Sequence, residues 1–151
     1  MKQYKDNISQ FHLTKQKTDF PKIKITQSKD GADFIRQFYS DDIGIYESLF
    51  MLLLNQANNT IGFVKISQGG IAGTVCDPII IAKYAIDSLA KGVILAHNHP
   101  SGNLQPSHGD RAMAEKIKAG LSLFDIKLLD NLILTEEGYF SSHYSFFVFF
   151  L

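Results

Sequence analysis

The run "DPIIIAKYAIDSLAKGVILAHNHPSG", from Asp77 to Gly102, constrains the fold more than any other stretch. Asp77 followed by Pro78 is an N-cap with proline at the first helical position, and Gly92 offers a stop, so a helix is expected over Pro78–Gly92. "VILAHN" then begins with no loop residue in between. A short apolar strand entered directly from a helix is buried on both faces, the state of a central strand in an α/β layer. Helices must therefore lie against a sheet.

The flanking segments supply the rest of the layers. "SKDGADFIRQFY" reads as a helix capped by Ser28 or Asp30, with Phe34, Ile35 and Phe38 on one face. "IYESLFMLLLN" and "TIGFVKIS" are separated by the Asn-rich "QANN" and read as a hairpin. "QGGIAG" lacks the Gly-Lys-Ser/Thr ending of a phosphate loop and is expected to be a flexible connection. A further helix is expected from Ser107 to near Gly120. The strands "IKLLDNLILT" and "GYFSS" follow, turning at Glu136-Glu137-Gly138. This order makes a mixed sheet with helices against it. At 151 residues and 45% hydrophobic, the chain is long enough for one core and is read as one domain, residues 28–151, after an N-terminal arm.

That arm, residues 1–27, holds Lys2, Lys5, Lys15, Lys17, Lys22 and Lys24 against Asp6 and Asp19, and is expected to be solvated. The whole chain balances 15 basic against 15 acidic residues, which argues against tight nucleic-acid or membrane binding outside such a local patch. Cys76 is the one cysteine, so neither an internal disulfide nor a Cys-rich zinc site can form, and a reducing, cytoplasmic setting is expected. The N-terminus lacks the apolar core of a signal peptide, and no apolar run approaches the roughly 20 residues of a membrane span. The ending "SFFVFFL" is expected to pack on the core or under a partner, with self-association into a homo-oligomer as the alternative.

Three of the five histidines fall within "ILAHNHPSGNLQPSHGD". His97 and His99 stand at the C-terminal end of the central strand, where open α/β sheets hold ligands. Their two-residue spacing sends both rings to one side, which is half of a zinc site. Asp110, brought back by the next helix, can be the third ligand; equally, Ser107-x-x-Asp110 is a capping-box pattern. His108 is expected to point away. Two histidines and one aspartate leave zinc an open position, as in catalytic sites. Among the four glutamates, Glu47 alone lies in an apolar strand-forming stretch, where an acid needs a partner or a task. It is either a proton shuttle or the start of an edge strand with its head in solvent.

Glu47, "HNHPSG" and "PSHGD" together resemble the JAMM (MPN+) metalloprotease motif, and more closely its RadC branch. "ESLFMLLLN" and "IKLLDNLIL" extend the similarity to roughly residues 45–141. The resemblance implies a three-layer α-β-α sandwich around a mixed sheet, JAB/MPN-like and related to the cytidine deaminase fold. It implies one zinc per chain on His97, His99 and Asp110, with Glu47 as general acid/base and Ser107 donating to the oxyanion. RadC-like chains often carry histidine after the aspartate of the late strand, whereas here Asn131 follows Asp130. Longer members have an N-terminal helix-hairpin-helix region associated with DNA, and the first forty residues here lack its Gly-rich hairpins.

Hydrolysis of an amide or isopeptide bond in a protein or peptide is the leading expectation. The alternative is a DNA-repair-associated accessory role through nucleic-acid or protein binding. Zinc deaminases need Pro-Cys-x-x-Cys, and a metal-dependent TIM barrel needs roughly 250 residues.

Overall fold

The computed structural model describes residues 7–70 and 73–144. The C-terminal "SFFVFFL" and Ile71-Ala72 of the Gly-rich connection lie outside the described residues. Three helices, α1 (Ser28–Arg36), α2 (Pro78–Asp87) and α3 (His108–Ser122), accompany five strands. The strands are β1 (Ser48–Leu54), β2 (Thr60–Gln68), β3 (Gly92–Asn98), β4 (Lys127–Leu134) and β5 (Tyr139–Ser141). They form one sheet in the order β2-β1-β3-β4-β5. Only the β3–β4 pairing is parallel, so the sheet is mixed, with β3 at its centre.

Every residue of β1 and β3 is buried, as an apolar run without polar alternation requires. The two faces carry separate cores. Phe34 and Ile35 of α1 cover Phe50, Leu52, Ile94, Ala96 and Leu132 on one face. Ile81 of α2 and Ala114, Ile117 and Leu121 of α3 cover Leu49, Met51, Val93 and Leu95 on the other. The protein is thus an α/β three-layer sandwich of the expected kind. A one-residue slip sits in its middle: Val93 pairs with Leu128 but Ile94 pairs with Asp130, leaving Leu129 as an extra residue in β4. The slip puts Asn131 beside Leu95, on the face covered by α2 and α3.

Two expectations about helix ends are corrected: α1 is capped at Gln27 rather than at Ser28 or Asp30, with the Asp30 carboxylate accepting the Gln27 N–H at 3.2 Å, and α2 ends early. Helix α2 stops at Asp87, five residues short of Gly92. Ala90 N–H reaches the Ala85 carbonyl at 3.0 Å, Leu89 N–H reaches that of Ile86 at 3.0 Å, and Leu89 takes φ 55°. These bonds are a Schellman closure with leucine in the left-handed position that glycine usually fills. Gly92 instead starts β3, where a Cβ would meet the Leu129 side chain at 2.8 Å. Helix α3 runs two residues past Gly120 and closes the same way, with Asp125 at φ 54° and Ile126 N–H on the Leu121 carbonyl at 3.1 Å.

The basic segment is not solvated throughout. Ile8, Phe11 and Leu13 are exposed, but Ile25 is fully buried, and Phe20 and Ile23 pack on the α1-side core. Thr60 N–H donates to the Ile23 carbonyl at 2.9 Å, tying this stretch to the start of β2. Among the described residues, no helix is long and apolar enough to cross a membrane.

Candidate metal centre

Strand β3 ends by aiming His97 from its last turn of pleat, and the chain continues extended for one more residue, with His99 N–H on the Leu134 carbonyl at 2.9 Å. The two rings therefore emerge on one side, their Nε2 atoms 3.0 Å apart. Pro100 ends the extension. Gly102, at φ +81°, then takes a conformation that side chains rarely adopt, and the chain turns back toward α3.

Helix α3 begins at the cap Ser107, whose Oγ accepts the Asp110 N–H at 3.0 Å, while Asp110 Oδ2 accepts the Ser107 N–H at 2.8 Å. The capping box is therefore present. The same carboxylate also faces the histidines: Oδ1 lies 3.6 Å from His97 Nε2 and Oδ2 lies 3.6 Å from His99 Nε2. The two readings of Asp110 left open by the sequence are not exclusive. The neighbouring His97 ring, aided by the Ser107 N–H, holds its carboxyl well below the usual range against the opposing effect of burial.

Glu47 comes from the other direction. Its backbone pairs with the glycines beyond β2, donating to Gly70 O at 3.1 Å and accepting from Gly69 N–H at 2.8 Å. It immediately precedes β1, an inner strand of the sheet, so it does not begin an edge strand. Its carboxylate, His97 and His99 form a group whose ligand atoms lie within 4.8 Å of one another and could hold a metal ion. Burial raises the Glu47 pKa, the two imidazoles pull it down, and Asp110 adds to the rise; the balance is upward. His108 is exposed, as its place one residue into the helix implied.

The donor chemistry fits zinc. His99 Nδ1 lies 2.6 Å from the Asn103 carbonyl, which can only accept, so Nδ1 carries the proton and Nε2 turns its lone pair to the cluster. Tetrahedral ligands at about 2.0–2.1 Å from zinc lie about 3.3–3.4 Å from each other. The observed 3.0 and 3.6 Å separations bracket that value. Two imidazoles and a carboxylate at such distances are a borderline-soft donor set with room for a further ligand.

Two asparagines that the spacing arguments passed over complete the site. Asn98, between the histidines, points to the opposite face and is fully buried. Its Oδ1 accepts the Ser48 N–H at 2.7 Å, and its Nδ2 donates to the Ile43 and Tyr46 carbonyls at 2.6 and 2.8 Å. Tyr39 adds a bond from its hydroxyl to the Ser48 carbonyl at 2.9 Å. An asparagine inside an otherwise apolar strand was the signal available. Asn131 lines the cavity beside His97, whereas Asp130 turns to the α1 side and is structural: it accepts from Ser141 Oγ at 2.7 Å and from His143 N–H at 2.9 Å.

A cavity of about 260 Å³ opens on the cluster, with Glu47, His97, Ser107 and Asp110 among its lining residues. Residues 25–145 match the family described as RadC-like JAB domain. Relatives named UPF0758 protein include that of Flavobacterium johnsoniae, 41% identical over 118 residues, which are 78% of this chain and 51% of the relative. That of Porphyromonas gingivalis is 38% identical over 96 residues, 63% of this chain and 42% of the relative. That of Fusobacterium nucleatum is 32% identical over 140 residues, 91% of this chain and 57% of the relative. The chain spans about half the length of the curated relatives it matches. With a sandwich built around β3 and a His-x-His pair at that strand's end, matched across residues 25–145, the chain belongs to the RadC-like JAB domain family.

Proposed function

We propose that the protein is a zinc-dependent hydrolase of the JAMM type that cleaves an amide or isopeptide bond in a protein or peptide. The observation that carries this reading is the approach of Glu47 and of Asp110, from two separate segments, to His97 and His99 beside an open cavity. His97, His99 and Asp110 would hold zinc. Bound there, zinc would polarise the scissile carbonyl and ease ionisation of water near neutral pH.

The chain's own groups divide the remaining work. Glu47, with its raised pKa, takes a proton from the attacking water and delivers it to the leaving nitrogen as the C–N bond breaks. Water's oxygen stays on the acyl carbon, so the products are a carboxylic acid and an amine. Ser107 Oγ accepts its capping bond from the Asp110 N–H and keeps its own O–H to donate to the carbonyl oxygen as negative charge builds. Balanced charge favours hydrolysis over DNA contact as the work of this domain.

The test is metal analysis joined to a cleavage screen over unbiased peptide and isopeptide libraries. One zinc per chain with cleavage that depends on Glu47 is the expected result. Protein refolded in excess zinc that retains none would overturn the reading.

A further inference from the structure

The cavity beside the metal centre carries its charged groups at one end. It lies on the His97 side of the histidine pair; His99 is not among its lining residues. From Asp110, the stripe Met113, Ala114 and Ile117 continues down the inner face of α3 at helical spacing. From His97, Leu95 lies two residues back along β3, and Leu49 pairs directly with His97. The cavity thus runs from the metal ligands inward between α3 and the sheet, toward apolar walls.

Asn131 breaks that apolar surface. It pairs with Leu95 in the sheet, is 7% exposed and lines the cavity. Its carboxamide makes no hydrogen bond among the described residues, while no side-chain nitrogen or oxygen there is sealed from solvent without a partner. The amide therefore keeps contact with solvent, and the cavity that it lines offers a path to it. Thr74, another polar wall residue, has its hydroxyl engaged with Ser67 Oγ at 2.7 Å. Among the described residues no lysine or arginine lines the space, and its carboxylates, Glu47 and Asp110, stand at the metal-ligand end.

We propose that this inner end is a side-chain pocket for the residue flanking the cleaved amide, and that Asn131 reads that residue, selecting an uncharged carboxamide on an apolar stem. The inference rests on the hydrolase reading above and extends it to substrate class. A carboxamide can donate to and accept from the Asn131 amide, with its methylenes against Leu95, Met113 and Ile117. A purely aliphatic side chain displaces water from Asn131 and leaves a buried amide unpaired, which costs affinity. A carboxylate carried to that inner end meets no lysine or arginine among the described residues and loses its water there.

The experiment measures dissociation constants of N-acetyl amino-acid hydroxamates for the zinc-loaded full chain. Hydroxamates of glutamine, glutamate, norleucine and glycine separate charge, hydrogen bonding and stem. Glutamine should bind about tenfold or more tighter than glutamate or glycine, and several-fold tighter than norleucine. In Asn131→Leu, the order of glutamine and norleucine should invert. The chain has three methionines, so methyl resonances report occupancy independently of affinity: the Met113 signal should move with the glutamine probe and stay with glycine. Equal affinity across the series, a preference for glutamate, or an unchanged order in Asn131→Leu overturns the pocket and leaves the hydrolase reading intact. A zinc-loaded chain that binds no hydroxamate at all overturns both. Should Asn131→Leu fold poorly, Met113→Ala must still weaken the glutamine probe relative to glycine, or the pocket is wrong.

Discussion

Asn98 accepts the Ser48 N–H on its carboxamide oxygen at 2.7 Å, fixing the residue next to Glu47 from the far side of the sheet. Its amide nitrogen holds Tyr46 on Glu47's other flank at 2.8 Å. Glu47 is thereby clamped at both neighbours by the residue between the two histidines. Asn98→Ala would leave the Ser48 N–H and two carbonyls without this partner in a fully buried place. Stability should fall by about 2–4 kcal/mol, read as a shift of the urea midpoint. A shift near zero would mean that the loop closes on other partners.

Zinc removal should be the largest single perturbation of stability. Ligand that binds only the folded state stabilises it by mass action, so metal-loaded protein should melt higher than chelator-treated protein. Replacing both His97 and His99 by alanine should abolish zinc, measured by atomic emission, and erase the difference in melting point. Zinc retained in full by that variant would place the metal elsewhere.

Glu47→Gln separates two roles that its position allows, proton shuttle and ligand. As a shuttle it should keep zinc and melting point while turnover drops about 10² to 10⁴. Loss of zinc would make it a ligand instead. In the metal-free chain the sign is set by burial, which raises the Glu47 pKa, so its carboxylate should take up a proton at a higher pH than an ordinary glutamate, followed by carboxyl NMR; zinc binding should move that titration down.

Cys76 lines the cavity, but burial, with a smaller contribution from Asp77, pushes its thiol up to about 11. Only the thiolate reacts with alkylating reagents. Iodoacetamide should modify it slowly at pH 7.5, with a rate that climbs through the alkaline range, followed by intact mass. Alkylation at the speed of an unhindered cysteine at neutral pH would contradict the burial.

The basic segment can be cut at two places with different outcomes. Deleting residues 1–18 should leave the fold intact, because among the described residues the contacts with the core begin at Phe20. Deleting residues 1–27 removes Ile25 from the core and should lower the melting point sharply. Duplex DNA affinity at physiological salt should be weak in the full chain and weaker still without residues 1–18. Sub-micromolar binding that survives the shorter deletion would contradict this.

What could be read from sequence was whatever depends on spacing along the chain. The His-x-His pair, the Asp77-Pro78 helix start and the Ser107-x-x-Asp110 box each lie within a few residues, and each stands as its local rule states. What escaped depends on residues distant in sequence. Asn98 takes its meaning from a loop about fifty residues earlier, and Asn131 from a one-residue slip in pairing that no periodicity announces. The end of α2 was misplaced because leucine, not glycine, occupies the left-handed position.

The double engagement of Asp110 makes one methylene group decisive. The usual third residue of a capping box is glutamate or glutamine, so a glutamate at position 110 would satisfy every rule for starting a helix. Yet its carboxylate would advance beyond the place from which Asp110 now meets both imidazoles at 3.6 Å. A comparison blind to side-chain length would score the exchange as silent, and the chain would fold to the same outline with its donor cluster displaced. In this architecture, whether a helix cap also faces the two imidazoles can turn on a single carbon atom.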